Sequence, residues 1–194
     1  MAHRQIRPTE RFTYDDYLQW PDRERWELIE GAPFDMTPSP SRRHQRLVTR
    51  LAVFIGSYLE GKTCELYVAP FDVRLPRGAE SDEEVDTVVQ PDLVVVCGEP
   101  QLEDEHLDTL LNPTLIVEIL SPSTESYDRG RKFAAYRTLA TLQEVVLVAQ
   151  DEPLVELYTR QPDRRWVLSE AVALDAAVQL SSVGCELSLR EIYD

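Results

Sequence analysis

The sequence predicts an α/β fold, and three observations support that class. Leu93–Cys97 and Leu115–Leu120 are nearly continuous apolar runs rich in β-branched residues, which is typical of central strands covered on both faces. A third run of this kind, residues 145–148, follows a segment of helical character, so strand, helix and strand form a parallel unit. The segment after Ser41 repeats its apolar residues at helical spacing. We therefore expect helices packed on a buried sheet.

Length and composition favour a single domain over residues 1–194. The chain has 194 residues, of which 43% are hydrophobic and 28% charged, as in ordinary globular domains. No apolar run approaches the ~20 residues of a membrane helix. The polar N-terminal segment lacks the apolar core of a signal peptide. The sequence thus predicts one cytoplasmic domain that does not bind membranes.

Two small elements are predicted near the N-terminus. Thr13, followed by an acid three residues later, is typical of a helix cap, and Pro21 ends the short helix that it begins. Residues 26–29 and 34–36 then flank a turn over residues 30–33, which predicts a small hairpin.

A longer helix is predicted from Ser41 to Gly61, and strands are predicted at residues 64–68 and 71–75. The outer face of this helix carries a basic stripe, which we define as Arg42, Arg46 and Arg50. Either the basic stripe is an ordinary solvated face or it contacts the phosphates of a nucleic acid.

The C-terminal half predicts one further helix, a hairpin and a helical turn. The helix extends to about Leu139, with Phe133 and Tyr136 facing inward. Residues 155–158 and 166–169 alternate as an antiparallel pair, and a final helical turn follows Ser188.

The formal net charge of -15 opposes nonspecific binding to nucleic acid, because a phosphate polymer is repelled. Many of the acids, however, form two clusters in segments predicted as loops. The first comprises Glu80, Asp82, Glu83, Glu84 and Asp86, and the second comprises Glu99, Glu103, Asp104, Glu105 and Asp108.

Cysteine and histidine spacing predicts no zinc site. Cys64, Cys97 and Cys185 are far apart and are expected to be buried, reduced thiols. The histidines His3, His44 and His106 are equally scattered, so a histidine metal site is not expected.

Two carboxylates are candidates for chemistry because of their positions on buried strands. Asp92 begins one strand and Glu118 lies within another, where an isolated ionised carboxylate is costly unless it is paired, hydrogen-bonded or bound to a metal. The alternative for Glu118 is a structural ion pair with Lys132 or an arginine.

Lys132 lies on the helix that follows Glu118, with Asp128 and Tyr136 one turn away on the same face. Taken alone it is an ordinary surface lysine. Hydrolysis of a phosphodiester, however, requires a hard cation held by carboxylates, an activated water and a positive group. Asp92, Glu118 and Lys132 supply that set.

These residues lie within motifs that resemble the Uma2 family, which is assigned to the PD-(D/E)XK restriction-endonuclease-like superfamily. The resemblance spans roughly residues 12 to 160. It rests on an ordered series of motifs, namely Trp26-Glu27-Leu28-Ile29-Glu30-Gly31, Ser41-x-x-His44, Pro91-Asp92-Leu93-Val94-Val95-Val96, Val117-Glu118-Ile119-Leu120-Ser121-Pro122-Ser123-Thr124 and Asp128-x-x-x-Lys132-x-x-x-Tyr136.

The resemblance implies a mixed central β-sheet, flanked by helices, with Asp92 and Glu118 on adjacent strands. It implies that these two acids bind Mg²⁺ or Mn²⁺ with the backbone carbonyl of Ile119, and that Lys132 orients or activates the attacking water. Glu27 matches an early glutamate of the family, which either reaches the metal pocket or has a structural role.

The sequence departs from the superfamily pattern at Leu120, where the lysine of the D/E-x-K element would fall. The Uma2-like pattern resolves this by placing the lysine on the helix, at Lys132, and it adds Tyr136 to the expected site residues.

Three functions remain open at this stage. The first is a metal-dependent endonuclease that hydrolyses DNA, with RNA as the alternative substrate, and that acts as a homodimer cutting two strands with two sites. The second is a non-hydrolytic accessory or protein-interaction module on the same fold. A glycosidase-like carboxylate pair comes last, because neither strand supplies aromatic residues beside its acid.

Overall fold

The computed structural model describes residues 10–21, 25–36, 40–76, 78, 80–81, 83–103, 109–122 and 124–194. Its helices are α1 (Tyr14–Leu18), α2 (Arg42–Leu59), α3 (Glu125–Tyr127), α4 (Phe133–Tyr136) and α5 (Leu189–Tyr193). Its strands are β1 (Trp26–Ile29), β2 (Ala32–Asp35), β3 (Cys64–Val68), β4 (Asp72–Arg74), β5 (Val88–Val89), β6 (Leu93–Cys97), β7 (Leu102–Glu103), β8 (Thr109–Leu110), β9 (Leu115–Leu120), β10 (Glu144–Ala149), β11 (Leu154–Arg160), β12 (Trp166–Val172), β13 (Ala177–Leu180) and β14 (Cys185–Ser188).

The three buried apolar runs form the centre of a six-stranded mixed sheet, so the predicted fold class is confirmed. The strand order is β12-β11-β10-β9-β6-β3. β9 and β10 are parallel, as predicted, and β6 is antiparallel to β9. The strands at the centre of this sheet are almost completely buried, which explains their continuous apolar sequence.

Two hydrophobic cores lie on opposite faces of this main sheet. Leu93 and Val117 face a core formed with α2, α5 and the β13–β14 hairpin. Val94 and Ile116 face the other core, which includes Tyr136 of α4. Because side chains alternate along a strand, Glu118 projects into this second core with Ile116.

A second mixed sheet, not predicted as such, covers that second core. Its order is β2-β1-β5-β4-β8-β7, and three of its strands have only two residues. The predicted hairpin is its β1–β2 pair, with a tighter turn than expected because Glu30 and Gly31 both have positive φ. The capping box of α1, with Thr13 and Asp16, is confirmed.

The helix predicted to reach Leu139 is interrupted and ends earlier, at Tyr136. A π turn over Asp128–Lys132 separates α3 from α4, and the amide of Phe133 donates to the carbonyl of Asp128, five residues back. A π turn inserts an extra residue into the helix, and such turns often occur at functional sites.

The prediction of reduced thiols is wrong for two of the three cysteines. Cys64 and Cys97 are directly opposite each other in the β3–β6 pair, with Cα atoms 4.0 Å apart, and they form a disulfide. Sequence separation concealed this proximity, because the antiparallel pairing of β3 with β6 brings the two positions together. Cys185 is buried and unbridged, as expected.

The C-terminal region contains the predicted β11–β12 hairpin and helical turn α5, together with a β13–β14 hairpin that was not predicted. Buried Glu144 anchors this second hairpin by accepting hydrogen bonds from the amides of Ser181 and Ser182, each at 3.0 Å. Within the described ranges, no helix is long and apolar enough to cross a membrane.

The two acidic clusters are only partly described. Glu103 lies on strand β7 rather than in a loop. Asp82, Asp104, Glu105 and Asp108 lie outside the described residues, as do His3 and His106.

Candidate active site

A completely buried lysine forms the centre of the candidate site. The Nζ of Lys132 lies 2.7 Å from Oε1 of Glu27 and 2.8 Å from Oε1 of Glu118. The side chain of Lys132 is 2% exposed, so the surface-lysine alternative is wrong. The ion pair between Glu118 and Lys132, given above as the alternative to a metal-binding role for Glu118, is present, and Glu27 of the second sheet joins it.

Asp92 and Glu118 are brought together by the antiparallel pairing of β6 with β9. Leu93 is paired with Val117, so one further step along the register places Asp92 opposite Glu118. The amide of Asp92 donates to Oε2 of Glu118 at 3.4 Å, and the amide of Ile119 donates to Oδ2 of Asp92 at 2.8 Å. The two acids therefore lie side by side at one end of the main sheet.

The π turn brings further polar groups to the same place. Asp128 and Lys132, its first and last residues, are both buried. The hydroxyl of Tyr127 donates to Oε2 of Glu27 at 2.9 Å, and the hydroxyl of Tyr136 donates to Oε1 of Glu118. These bonds fix both glutamates in position.

Burial and repulsion raise the pKa values of two acids in this cluster, Glu118 and Asp128. Burial raises the pKa of Glu118 to about 8; Asp128, Asp92 and Glu27 add to this, while Lys132 opposes it. Burial likewise raises the pKa of Asp128 to about 6. Burial alone would lower the pKa of Lys132, but the surrounding carboxylates, Glu118 first, raise it well above its usual value. Lys132 is therefore protonated at neutral pH.

His44, near the start of α2, is a site residue that sequence reasoning missed. Its Nε2 lies 3.2 Å from Oδ2 of Asp92, and its side chain is 13% exposed. Its Nδ1 is buried and accepts or donates no hydrogen bond among the described residues. The Ser41-x-x-His44 motif was the sequence feature that could have identified it.

The cluster suits a hard divalent cation held by few protein ligands. Lys132 interacts with Glu27, Glu118 and Asp128, and Asp92 lies beside Glu118, so the acids outnumber the lysine and leave an excess of negative charge. Over the described part of the chain, no three acid, histidine or cysteine side chains converge as a closed metal cage would. Two carboxylates completed by water are the usual arrangement for Mg²⁺.

The basic stripe lies apart from this cluster and contacts the C-terminal helix. Nη2 of Arg46 donates to the carbonyl of Asp194 at 2.5 Å, and Nη1 of Arg50 donates to the carbonyl of Glu191 at 3.1 Å. Arg42 is exposed on the first turn of α2. These contacts favour a structural role for Arg46 and Arg50, and phosphate binding by the stripe stays a prediction.

The match to a family model decides the classification. Residues 14–190 match the model of Uma2, which is described as "Putative restriction endonuclease". The chain belongs to the Uma2 family. This confirms the resemblance seen in the sequence and extends it from about residue 160 to residue 190.

Two relatives and a solved structure are similar to this chain over nearly all of its length. "Uncharacterized protein slr1290" of Synechocystis sp. is 29% identical over 100% of this chain and 97% of its own length. "Uncharacterized protein sll1609" of the same organism is 31% identical over 91% of this chain and 96% of its own length. The crystal structure of "a putative nuclease belonging to DUF820" from Anabaena variabilis superposes with a TM-score of 0.75 at 20% identity, covering 94% of this chain and 97% of that one. This Uma2 chain thus shares the fold of that protein.

Proposed function

We propose that this Uma2 protein is a metal-dependent endonuclease that hydrolyses phosphodiester bonds in DNA. The observation that supports this proposal most directly is the arrangement of Asp92 and Glu118 on adjacent strands, with Nζ of Lys132 2.8 Å from Oε1 of Glu118. The family description supports a nuclease, and the excess of buried acids supports a divalent cation.

Asp92 and Glu118, with the carbonyl of Ile119, are the groups proposed to hold Mg²⁺ or Mn²⁺. When bound, such an ion lowers the pKa of a coordinated water and stabilises charge on the phosphate. Glu27, Tyr127 and Tyr136 keep the acids and the lysine in one geometry through the contacts described above.

Lys132 is proposed to orient the attacking water and to stabilise developing negative charge. An ammonium group has three N–H donors, and two of them are directed at Glu27 and Glu118. The third donor is proposed to serve a water or a phosphate oxygen. Because its pKa is raised, Lys132 acts as a cation and donor and not as a general base.

The deciding experiment combines calorimetric titration with Mn²⁺ and nicking of a supercoiled plasmid. Wild type is expected to bind Mn²⁺ and to nick, and Asp92→Asn is expected to lose both. Asp163→Asn, which changes an exposed acid in the β11–β12 turn, is the matched control and should retain both. Equal Mn²⁺ affinity in wild type and Asp92→Asn would exclude the site as proposed.

A second candidate function is a non-hydrolytic interaction module on the same fold. It is favoured by the net charge of -15 and by Lys132, which already neutralises part of the acid cluster without a metal. A wild type that nicks neither DNA nor RNA at any Mn²⁺ concentration would favour this module. The proposed homodimer is tested separately, by light scattering at the concentrations used for cleavage.

A further inference from the structure

An aromatic pocket lies beside the acid cluster and has no role in the mechanism above. It encloses about 320 Å³, at the small end of the ~300–1,000 Å³ range of ligand pockets. Its walls include the aromatic and polar side chains Tyr17, Trp20, Trp26, Phe71, Asp72 and Gln90. Tyr17, Trp26 and Phe71 are only partly buried. Their rings already contact other aromatic rings, since Phe71 stacks on Tyr67 with centroids 4.4 Å apart and Trp26 packs edge-on against Trp20.

The pocket and the candidate active site share a wall. Gln90 lines the pocket, and its backbone amide donates to Oε1 of Glu27 at 2.8 Å, the same oxygen that contacts Lys132. On the other side, Pro70 lines the pocket, and the amide of the preceding Ala69 donates to the carbonyl of Asp92 at 3.0 Å. Gln90 and Asp92 are two residues apart, so their Cα atoms are separated by at most ~7 Å.

The polar groups of the pocket are already bonded to one another. Nε2 of Gln90 donates to Oδ1 of Asp72 at 2.8 Å, and the hydroxyl of Tyr17 donates to the same oxygen at 3.1 Å. Oε1 of Gln90 accepts from Nε of Arg25 at 3.1 Å. A ligand would therefore be recognised by contact with the rings rather than by a pattern of hydrogen bonds.

We propose that this pocket binds one unpaired nucleobase of the substrate by stacking, next to the phosphodiester that is cleaved. The inference rests on the proposed nuclease function and specifies its substrate as DNA that is single-stranded or locally unpaired. Stacking on aromatic side chains tolerates every base, because each has a π face. The carboxylate of Asp72 and the acid cluster repel phosphate, so the base and not the backbone is the group that this pocket takes.

Stacking would also explain how a strongly acidic chain can bind nucleic acid. A protein with a formal net charge of -15 gains little from the counterion release that drives most nucleic-acid binding. Contacts between rings and a base do not depend on charge. Binding to single strands is therefore expected to vary less with salt than it does for basic nucleases.

The test measures binding without cleavage, by fluorescence anisotropy in EDTA. The probe is a labelled oligothymidylate of ~10 nucleotides, within the site sizes of ~4–16 nucleotides known for single-strand binders. The comparison ligands are an abasic strand and a duplex of the same length. The variants are Phe71→Leu and Trp26→Leu, each of which keeps an apolar side chain. The matched control is Trp166→Leu, which changes a ring that packs against Phe133 and does not line the pocket.

Wild type is expected to bind the oligothymidylate more tightly than the abasic strand or the duplex. Loss of a stacking ring should weaken binding by about 5- to 150-fold in Phe71→Leu and Trp26→Leu, and Trp166→Leu should bind as wild type does. Equal affinity for the thymidylate and abasic strands, or equal affinity in all four proteins, would contradict the proposal that this pocket binds a base.

Failure of the pocket and failure of the nuclease are separable in these measurements. A wild type that nicks DNA in Mn²⁺ but binds the abasic strand as well as the thymidylate strand overturns the pocket alone. A wild type that binds bases in EDTA but never cleaves supports the pocket and overturns the nuclease proposal.

Discussion

Lys132 and Glu118 form a direct ion pair, with Nζ 2.8 Å from Oε1, although one lies on a π turn and the other within a central strand. A buried ammonium is unfavourable without such a partner. The pair therefore accounts for the burial of Lys132 without any reference to catalysis. A structural role and the proposed catalytic role of Lys132 are compatible, so the experiments must separate them.

Lys132→Met tests the catalytic role directly. It removes the ammonium but keeps most of the side-chain length, so we expect nicking to fall by about 10²- to 10³-fold, as for loss of one electrostatic donor. The affinity for Mn²⁺ should not fall, because the Lys132 ammonium, which competes with the metal ion for the carboxylate of Glu118, is removed. The measurements are plasmid nicking and calorimetry.

The control for this variant is Arg131→Met, which removes an exposed cation from the neighbouring position of the same turn. Breaking a buried pair costs about 3–5 kcal/mol, so the proteins must be compared at equal folded concentration. If folded Lys132→Met nicks at the rate of Arg131→Met, Lys132 is structural only.

The raised pKa of Glu118 predicts that the metal-free protein loses stability as pH rises. Its pKa is about 8 in the folded chain against 4.5 as the ordinary value, so the folded state binds more protons between these limits. The stabilising contribution is complete below about pH 4.5 and is lost as pH rises through about 8. Asp128, with a folded pKa of about 6, acts in the same direction at lower pH.

Urea unfolding in EDTA at about pH 5.5, about pH 7 and about pH 8.5 measures this dependence, whose slope from one proton is at most about 1.4 kcal/mol per pH unit. Glu118→Gln does not titrate and should give a flatter profile than wild type. Glu60→Gln, at an exposed position just after α2, is the control and should follow wild type. Parallel profiles for all three proteins would contradict the assignment of the excess proton to Glu118.

The basic stripe can be tested by separating stability from nucleic-acid binding. Arg46 and Arg50 donate to the carbonyls of Asp194 and Glu191, so the Arg46→Gln, Arg50→Gln double variant should lower the free energy of unfolding by about 0.5–1.5 kcal/mol per bond. Arg42→Gln should leave stability unchanged and, if the stripe binds phosphates, reduce the log-log salt slope by up to about one unit. Equal salt slopes in wild type, the single variant and the double variant would leave the stripe with a structural role.

The sequence was most informative where burial is continuous along the chain. The strands around Asp92 and Glu118 were predicted because both faces of the main sheet are covered, which demands long apolar runs. An acid within such a run is unusual enough to identify a candidate site. The helix α2 was predicted for the same kind of reason, since one apolar stripe packs against the sheet.

What could not be predicted depends on contacts between distant segments. Glu27 reaches Lys132 because a second sheet covers the core, and three strands of that sheet are too short to show any periodicity. The π turn could not be predicted, because no sequence pattern distinguishes its residues from those of the α-helix that was predicted there. The Cys64–Cys97 bridge follows from strand pairing, which spacing along the chain does not reveal.

His44 gives the last prediction, because its side chain positions Asp92 from the opposite face of the main sheet. Nε2 of His44 lies 3.2 Å from Oδ2 of Asp92, the oxygen that also accepts from the amide of Ile119. Removing a group that orients a metal ligand typically costs about 10- to 100-fold in metal affinity. We therefore expect His44→Ala to weaken Mn²⁺ binding by that factor and to reduce nicking at subsaturating Mn²⁺.

His44→Gln retains an N–H donor and should recover part of the loss, whereas a purely structural histidine would show no such dependence on hydrogen bonding. Gln45→Ala, at the exposed neighbouring position of α2, is the control and should bind Mn²⁺ as wild type does. Calorimetry gives the affinities, and nicking at saturating Mn²⁺ shows whether the rate recovers once the ion is bound. Wild-type Mn²⁺ affinity in His44→Ala would show that Ile119 and the strand backbone alone position Asp92.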